Sequence, residues 1–117
     1  ADFIAPRLGE LAEAYREQFR ARHPGDKPHL MVAVWTVCAD TDEEALRLAA
    51  PARMMFAHLL MGKSIAVPPP EVAQAWLADR PDVARAFASR RVVAGSPATV
   101  RAGLEQVIAE YHPDEIM

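Results

Sequence analysis

Apolar and polar positions alternate between helical spacing and nearly continuous apolar runs along the chain, and this pattern predicts helices and strands. Residues 7–22 carry apolar side chains at helical spacing with charged residues on the opposite face, so an amphipathic helix is predicted. Phe3 and Ile4, just before it, are consistent with the end of a strand. Residues 29–38 are apolar at nearly every position, which is typical of a parallel strand covered by helices on both faces.

A second helix is predicted over residues 42–61. Thr41 is a suitable N-cap, and Glu44 three residues later completes a capping box. Pro51 is expected to bend or break this helix in its middle. Gly62 is the expected C-terminal stop, because glycine adopts the left-handed conformation that ends many helices.

The second half of the chain continues this alternation of helices and strands. Strands that alternate with helices imply parallel pairing through right-handed crossovers, and therefore the α/β class. The predicted elements are an extended loop over 63–70, short helices over 71–78 and 82–89, a strand over 91–94, a helix from 97 that ends at His112–Pro113, and the opening of a strand at 115.

Composition narrows the possible functions. The chain has 117 residues, of which 51% are hydrophobic and 25% charged, an ordinary balance for one globular domain. A formal net charge of -3 argues against a nucleic-acid-binding protein. No apolar run approaches the roughly 18 residues of a membrane helix, so no membrane partner is expected. The single cysteine, Cys38, fits a reducing compartment, and we expect a cytoplasmic protein.

The Gly95-Ser96-Pro97 turn is the best candidate for a binding site. It opens a helix, and the free N–H groups and partial positive charge of a helix N-terminus suit a phosphate. The alternative is purely structural, with Ser96 as N-cap, Gly95 in the turn and Pro97 at the first helical position. The sequence is compatible with both interpretations.

The other reactive side chains predict no catalytic residue and no metal site. The four histidines lack the spacing of metal ligands, and we expect His58 to be packed and hydrogen-bonded on an apolar helix. We expect Cys38 to be a small buried residue rather than a nucleophile. Arg90 and Arg91 are interpreted as solvated charges at the start of a strand.

Five stretches of the sequence, in this order and spacing, resemble luciferase-like flavin-dependent monooxygenases. The most specific is the Gly-Ser-Pro turn, followed at the end of the chain by Asp-Glu-Ile-Met. Many members of the family carry a histidine where this chain begins Ala-Asp-Phe-Ile, so no histidine role is carried over. The stretches are 1–6, 14–19, 32–45, 92–104 and 114–117.

This resemblance implies a (β/α)8 TIM barrel that binds reduced FMN, or in some branches a deazaflavin, and uses O2 to oxidise an organic substrate. A separate flavin reductase often supplies the reduced flavin. A complete barrel needs about 250 residues, so this chain would be a C-terminal fragment of one. Residues 1–117 would form a single incomplete unit, from about strand six to the start of strand eight. A helical insertion would lie near 63–90, and Gly95 and Ser96 would be the cofactor-binding candidates.

Two hypotheses for the whole chain follow. The first is the C-terminal portion of a luciferase-like monooxygenase, inactive as this fragment. The second is a small non-enzymatic α/β module that acts through self-association or binding. A homo-oligomer is expected in either case, because the apolar arc of the second helix exceeds what one short chain can bury. A different barrel enzyme or an α/β hydrolase is a weaker third possibility, and the hydrolase lacks its Gly-x-Ser-x-Gly motif.

Overall fold

The structure is a computed structural model that describes the backbone of residues 4–88 and 92–117 and the side chains of 8–85 and 92–117. Helices and parallel strand pairs share the chain, which confirms the mixed α/β class. The elements are α1 (Ile4–Gln18), β1 (Met31–Val32), β2 (Trp35–Cys38), α2 (Asp42–Leu60), α3 (Pro70–Ala78), α4 (Pro81–Ala88), β3 (Val92–Gly95), α5 (Pro97–Tyr111) and β4 (Glu115–Ile116).

The strands form two parallel pairs. β2 pairs with β3, with Trp35 opposite Val92 and Cys38 opposite Gly95. β1 pairs with β4, with Met31 opposite Glu115. The β2–β3 pair has the order expected when consecutive parallel strands are joined by a helical crossover. β4 departs from that order, because it lies beside β1 and not beside β3.

Two small apolar clusters hold the helices against these strands. In the first, α1 and α5 pack on residues 32 and 34 of the strand region, and its buried members are Ala12, Val32, Val34, Val107 and Tyr111. In the second, α2 packs on α3, and its buried members are Ala50, Ala73 and Leu77. Among the described residues no large side chain is completely buried. The fold therefore rests on these two clusters of nearly buried side chains and on the half-buried apolar side chains packed around them.

The first helix begins and ends earlier than the sequence pattern indicates. α1 already includes Ile4, so the expectation that Ile4 ends a strand is wrong, whereas Phe3 lies outside the described residues. The helix ends at Gln18 instead of residue 22. Near this end the Arg16 guanidinium donates to the carbonyl oxygen of His112, 2.6 Å away, at the end of α5. A cation at the C-terminus of a helix is favoured by the helix dipole.

The ends of α2 agree with the sequence, but its middle does not. The Thr41 hydroxyl oxygen accepts a hydrogen bond from the Glu44 backbone N–H at 3.2 Å, which confirms the N-cap. The other half of the predicted capping box is not seen, because both Glu44 carboxylate oxygens accept from the Arg47 guanidinium, at 3.0 and 2.9 Å. Gly62 has φ +77° and ends the helix as expected. α2 runs without interruption through Pro51, so the predicted break is not seen. Pro51 leaves only one backbone hydrogen bond unmade, that to the carbonyl of Arg47, and its ring is buried among apolar neighbours.

The prediction of one strand over residues 29–38, apolar on two covered faces, is wrong. The segment is divided into β1 and β2, and each pairs with a different strand. Val32 and Val34 are buried, but Met31 and Trp35 on the alternate face are 50% and 55% exposed. Cys38 is exposed too, so its expected burial is also wrong. The physical reason is that successive side chains of a strand point to opposite faces, and α1 and α5 cover only one of them here.

The last third of the chain follows the predicted order with small shifts. β3 extends to Gly95, one residue beyond the predicted strand, and Arg91 lies outside the described residues. Ser96 caps α5 and Pro97 occupies its first position, as predicted. His112, with φ 47°, ends α5 in the left-handed conformation. None of the helices in the described part of the chain is both long and apolar enough to span a membrane.

Candidate functional site

The carboxyl ends of β2 and β3 lie side by side and form the candidate site. Cys38 and Gly95 are opposite each other in the parallel register. The backbone N–H of Ala39 donates to the Gly95 carbonyl oxygen at 3.1 Å, which extends the pairing by one more bond. Because α2 and α5 both begin just after this edge, two helix N-termini meet there.

The Asp42 carboxylate connects these two N-termini. Its Oδ1 accepts a hydrogen bond of 2.7 Å from the backbone N–H of Ser96, while Asp42 itself is the first residue of α2. This backbone hydrogen bond, with smaller contributions from the Thr99 and Ser96 hydroxyls, lowers the pKa of Asp42 below its ordinary value. The site therefore holds an ionised carboxylate between two helix dipoles that both favour negative charge.

Ser96 and Gly95 have clear local roles at this edge. The Ser96 hydroxyl oxygen accepts from the Thr99 backbone N–H at 3.5 Å and lies 3.3 Å from the Thr99 hydroxyl, which confirms the N-cap. Gly95 is buried, and a Cβ placed there would lie 2.5 Å from Thr99 Cγ2 and 2.8 Å from Asp42 Oδ1. Only glycine therefore fits at position 95 without moving its neighbours.

This geometry bears directly on phosphate binding. The Ser96 N–H that would face a phosphate already donates to Asp42, and two anions cannot share that donor without repulsion. As arranged in this structure, the edge does not fit a flavin phosphate, which would have to displace the carboxylate. Cofactor binding by Gly95 and Ser96 stays a prediction.

His58 lies in the last turn of α2 and not at this edge. His58 is packed as predicted: its Nδ1 lies 2.9 Å from the Met54 carbonyl oxygen, and its ring centroid lies 4.9 Å from that of Trp76. No group of three or more His, Cys, Asp or Glu side chains within the described ranges could hold a metal ion. Arg90 and Arg91 fall outside those ranges.

Polar contacts join segments that sequence patterns do not connect, and three of them show how a carboxylate makes such a contact. His29 Nε2 lies 2.9 Å from Glu115 Oε2, and the Leu30 N–H donates to Asp114 Oδ2 at 2.7 Å. The hydrogen bond from Glu115 raises the pKa of His29 above its ordinary value. The third contact is the Asp42–Ser96 hydrogen bond. No local sequence pattern predicts these contacts, because an exposed carboxylate is compatible with many partners.

Several known proteins are similar in sequence to this chain. No protein-family model matches the chain. The uncharacterized protein YceB of Bacillus subtilis is 35% identical over 117 residues, which are 98% of this chain and 35% of YceB. A luciferase-like monooxygenase of Escherichia coli strain K12 is 29% identical over 117 residues, again 98% of this chain and 35% of that protein.

A solved structure supports the same relationship. The crystal structure of apo-MsnO8 superposes with a TM-score of 0.74 at 27% identity and covers 97% of this chain and 36% of that one. These matches confirm the resemblance to the luciferase-like family. The chain spans about a third of the length of the curated relatives it matches, 35% for both YceB and the Escherichia coli protein.

Proposed function

We propose that this chain is the C-terminal portion of a luciferase-like flavin-dependent monooxygenase, an oxidoreductase that uses reduced flavin and O2 on an organic substrate. The observation that carries the proposal is the alignment of 98% of the chain with a luciferase-like monooxygenase of Escherichia coli. Because that alignment takes in 35% of the relative, the flavin and substrate sites would depend on residues beyond this chain.

Within a (β/α)8 barrel we place the chain from about strand six to the start of strand eight. The parallel β2–β3 pair, joined through α2, supports this placement. α3 and α4 lie between α2 and β3, where we expect the helical insertion near residues 63–90. β4 is the exception, because consecutive barrel strands are neighbours and β4 pairs here with β1. We propose that residues 115–117 lie beside β3 in a complete barrel.

A crosslink distinguishes the two positions of β4. In a Cys38→Ser background, Met31→Cys and Glu115→Cys occupy opposite positions of the β1–β4 pair, within reach of a disulfide. Oxidation should link them in the 117-residue chain. In a longer protein encoded by the same reading frame the link should be absent, and its formation there would contradict the barrel placement.

We further propose that the 117-residue chain alone is inactive. The chain aligns with only 35% of the Escherichia coli relative, so a complete flavin pocket, and with it tight binding of FMN or of a deazaflavin, is not expected in the 117-residue chain. Reduced FMN should be titrated anaerobically into the 117-residue chain and into the longer protein, then O2 and an aldehyde added. Turnover by the short chain would overturn its inactivity, and absence of flavin binding by the longer protein would overturn the flavin function.

The alternative function is a non-enzymatic module that self-associates. The observation that favours it is the apolar end of α2, where Leu59, Leu60 and Met61 are 61%, 62% and 57% exposed. Sedimentation velocity of the chain, and of a Leu60→Gln variant, measures this directly. A dimer that the substitution dissociates supports self-association, whereas a monomer excludes it. A flavin reductase stays a proposed partner of the longer enzyme only.

A further inference from the structure

An apolar groove, here called the α2 groove, runs along α2 beside the start of β2. Its volume is about 470 Å³, within the range of roughly 300–1,000 Å³ typical of small-molecule sites. Its lining is apolar apart from one cation and one hydroxyl. The lining residues are Trp35, Leu48, Pro51, Ala52, Met55, Phe56, Leu59, Lys63, Ser64, Ile65 and Val67.

The α2 groove is separate from the candidate site at Gly95 and Ser96. Its wall includes Trp35 and Phe56, whose rings meet edge to face with centroids 5.0 Å apart. Trp35 is the first residue of β2, and Cys38 at the candidate site is the last. At about 3.3 Å per residue, these ends are roughly 10 Å apart along the strand. A ligand in the α2 groove would therefore not occupy the carboxyl edge.

The single cation of the groove is held by the turn that ends α2. The Gly62 N–H donates to the Leu59 carbonyl at 3.0 Å, and the Lys63 N–H donates to the His58 carbonyl at 2.9 Å. This hydrogen-bond pair is a Schellman motif, and it fixes the position of the Lys63 backbone. Lys63 forms no ion pair with any carboxylate in the described ranges, so its ammonium is available at the groove.

We propose that the α2 groove binds a small amphipathic anion, with an aromatic or aliphatic body and one carboxylate or sulfonate group. The apolar body covers side chains that water now contacts, including Trp35, which is 55% exposed, and Leu59, which is 61% exposed. The anionic group pairs with Lys63 and accepts from the Ser64 hydroxyl. This site goes beyond the proposed monooxygenase function and does not depend on it.

The first test uses two fluorescent probes of similar shape that differ in charge. Anilinonaphthalene sulfonate carries the anionic group, and N-phenyl-1-naphthylamine does not. A Trp76→Phe background leaves Trp35 as the only tryptophan, so its quenching reports occupancy of the groove. Both probes should bind at one saturable site. A rise in melting temperature with probe concentration should accompany binding, because a ligand of the native state stabilises it.

Lys63→Gln is the decisive variant, and Lys27→Gln is its matched control, because these are the only two lysines in the chain. Lys63→Gln should weaken binding of the sulfonate about threefold to fivefold, as expected for a solvent-exposed ion pair, and leave the neutral probe unchanged. Lys27→Gln should change neither. Leu59→Ser should weaken both probes, because it removes apolar lining.

Three outcomes would overturn the proposal. Equal effects of Lys63→Gln and Lys27→Gln on sulfonate affinity would show that Lys63 has no specific role in binding. An equal loss of affinity for both probes in Lys63→Gln would show that the groove does not recognise the negative charge of the sulfonate. Failure of either probe to bind, together with a dimer in sedimentation velocity, would show that a second copy covers the groove.

Discussion

The Asp42 carboxylate accepts a 2.7 Å hydrogen bond from the Ser96 backbone N–H, across 54 positions of sequence. The bond joins the first turn of α2 to the beginning of α5, at the edge where β2 and β3 end. It gives one exposed carboxylate two functions, because it satisfies a free helix N–H and occupies the place of a bound anion.

Replacing Asp42 by Asn should therefore lower stability in a pH-dependent manner. The folded-state pKa of Asp42 is depressed, so its contribution is present above the unfolded value of about 3.9 and is lost as the pH falls through the folded pKa. The melting temperature of wild type should exceed that of Asp42→Asn at pH 7, and the difference should vanish in strong acid. Asp40→Asn, in the preceding turn, serves as control. A difference that persists in acid would contradict an ionic role.

Gly95→Ala should destabilise the chain by about 1–3 kcal/mol, the range for overpacking a filled site. The new methyl would lie 2.5 Å from Thr99 Cγ2 and 2.8 Å from Asp42 Oδ1. Gly9→Ala is the matched control, since its methyl would meet nothing closer than the Glu110 carbonyl oxygen at 3.9 Å. Within helix α1, Gly9→Ala should raise stability by about 0.5–1 kcal/mol. Urea unfolding measures both, and equal effects would refute the steric argument.

The His29–Glu115 pair should make stability fall as the pH rises through neutrality. The pKa of His29 is raised, chiefly by its hydrogen bond to Glu115. Its contribution is thus fully present below the unfolded value of about 6.5 and is lost as the pH rises through the folded pKa. Glu115→Gln should remove this part of the pH dependence, and His23→Gln should leave it intact. NMR titration of the His29 ring protons provides the measurement; a His29 titration unaffected by Glu115→Gln would contradict the pairing.

Gly62→Ala should cost roughly 1–2 kcal/mol, because Gly62 has φ +77° and a side chain in the left-handed region clashes with its own backbone. By disturbing the turn that positions Lys63, it should also weaken sulfonate binding in the α2 groove. Gly25→Ala places the same strain, at φ +89°, in a loop outside the groove lining. It should cost similar stability without changing probe affinity. Chemical unfolding and probe titration together separate the two effects.

Local features of the fold could be predicted from the sequence. The caps at Thr41 and Ser96 and the stop at Gly62 depend on residues within one turn of each other, and all three are confirmed. The course of α2 through Pro51 could not be predicted in this way. Packing of α2 on α3 and the sheet maintains the helix past the one hydrogen bond that proline cannot make.

The pattern of apolar positions could not predict which strands pair with residues 29–38. A run that is apolar on both faces indicates two covered faces, but it does not say which segments cover them. Here β1 and β2 take different partners, and Trp35 and Cys38 stay exposed. At the candidate site, the sequence shows a glycine at position 95, but only the tertiary structure shows that a Cβ there would lie 2.8 Å from Asp42 Oδ1.

The pairing of β1 with β4 sets the order in which the chain can assemble. The Leu30–Asp114 hydrogen bond closes a loop over a sequence separation of 84, longer than the separation between β2 and β3. Loop-closure entropy rises with length, and native contacts of large sequence separation slow folding. We therefore expect the last residues to dock after α5 has formed. In hydrogen exchange the Met117 amide, which donates to the Val32 carbonyl oxygen, should exchange before the amides of β2 and β3.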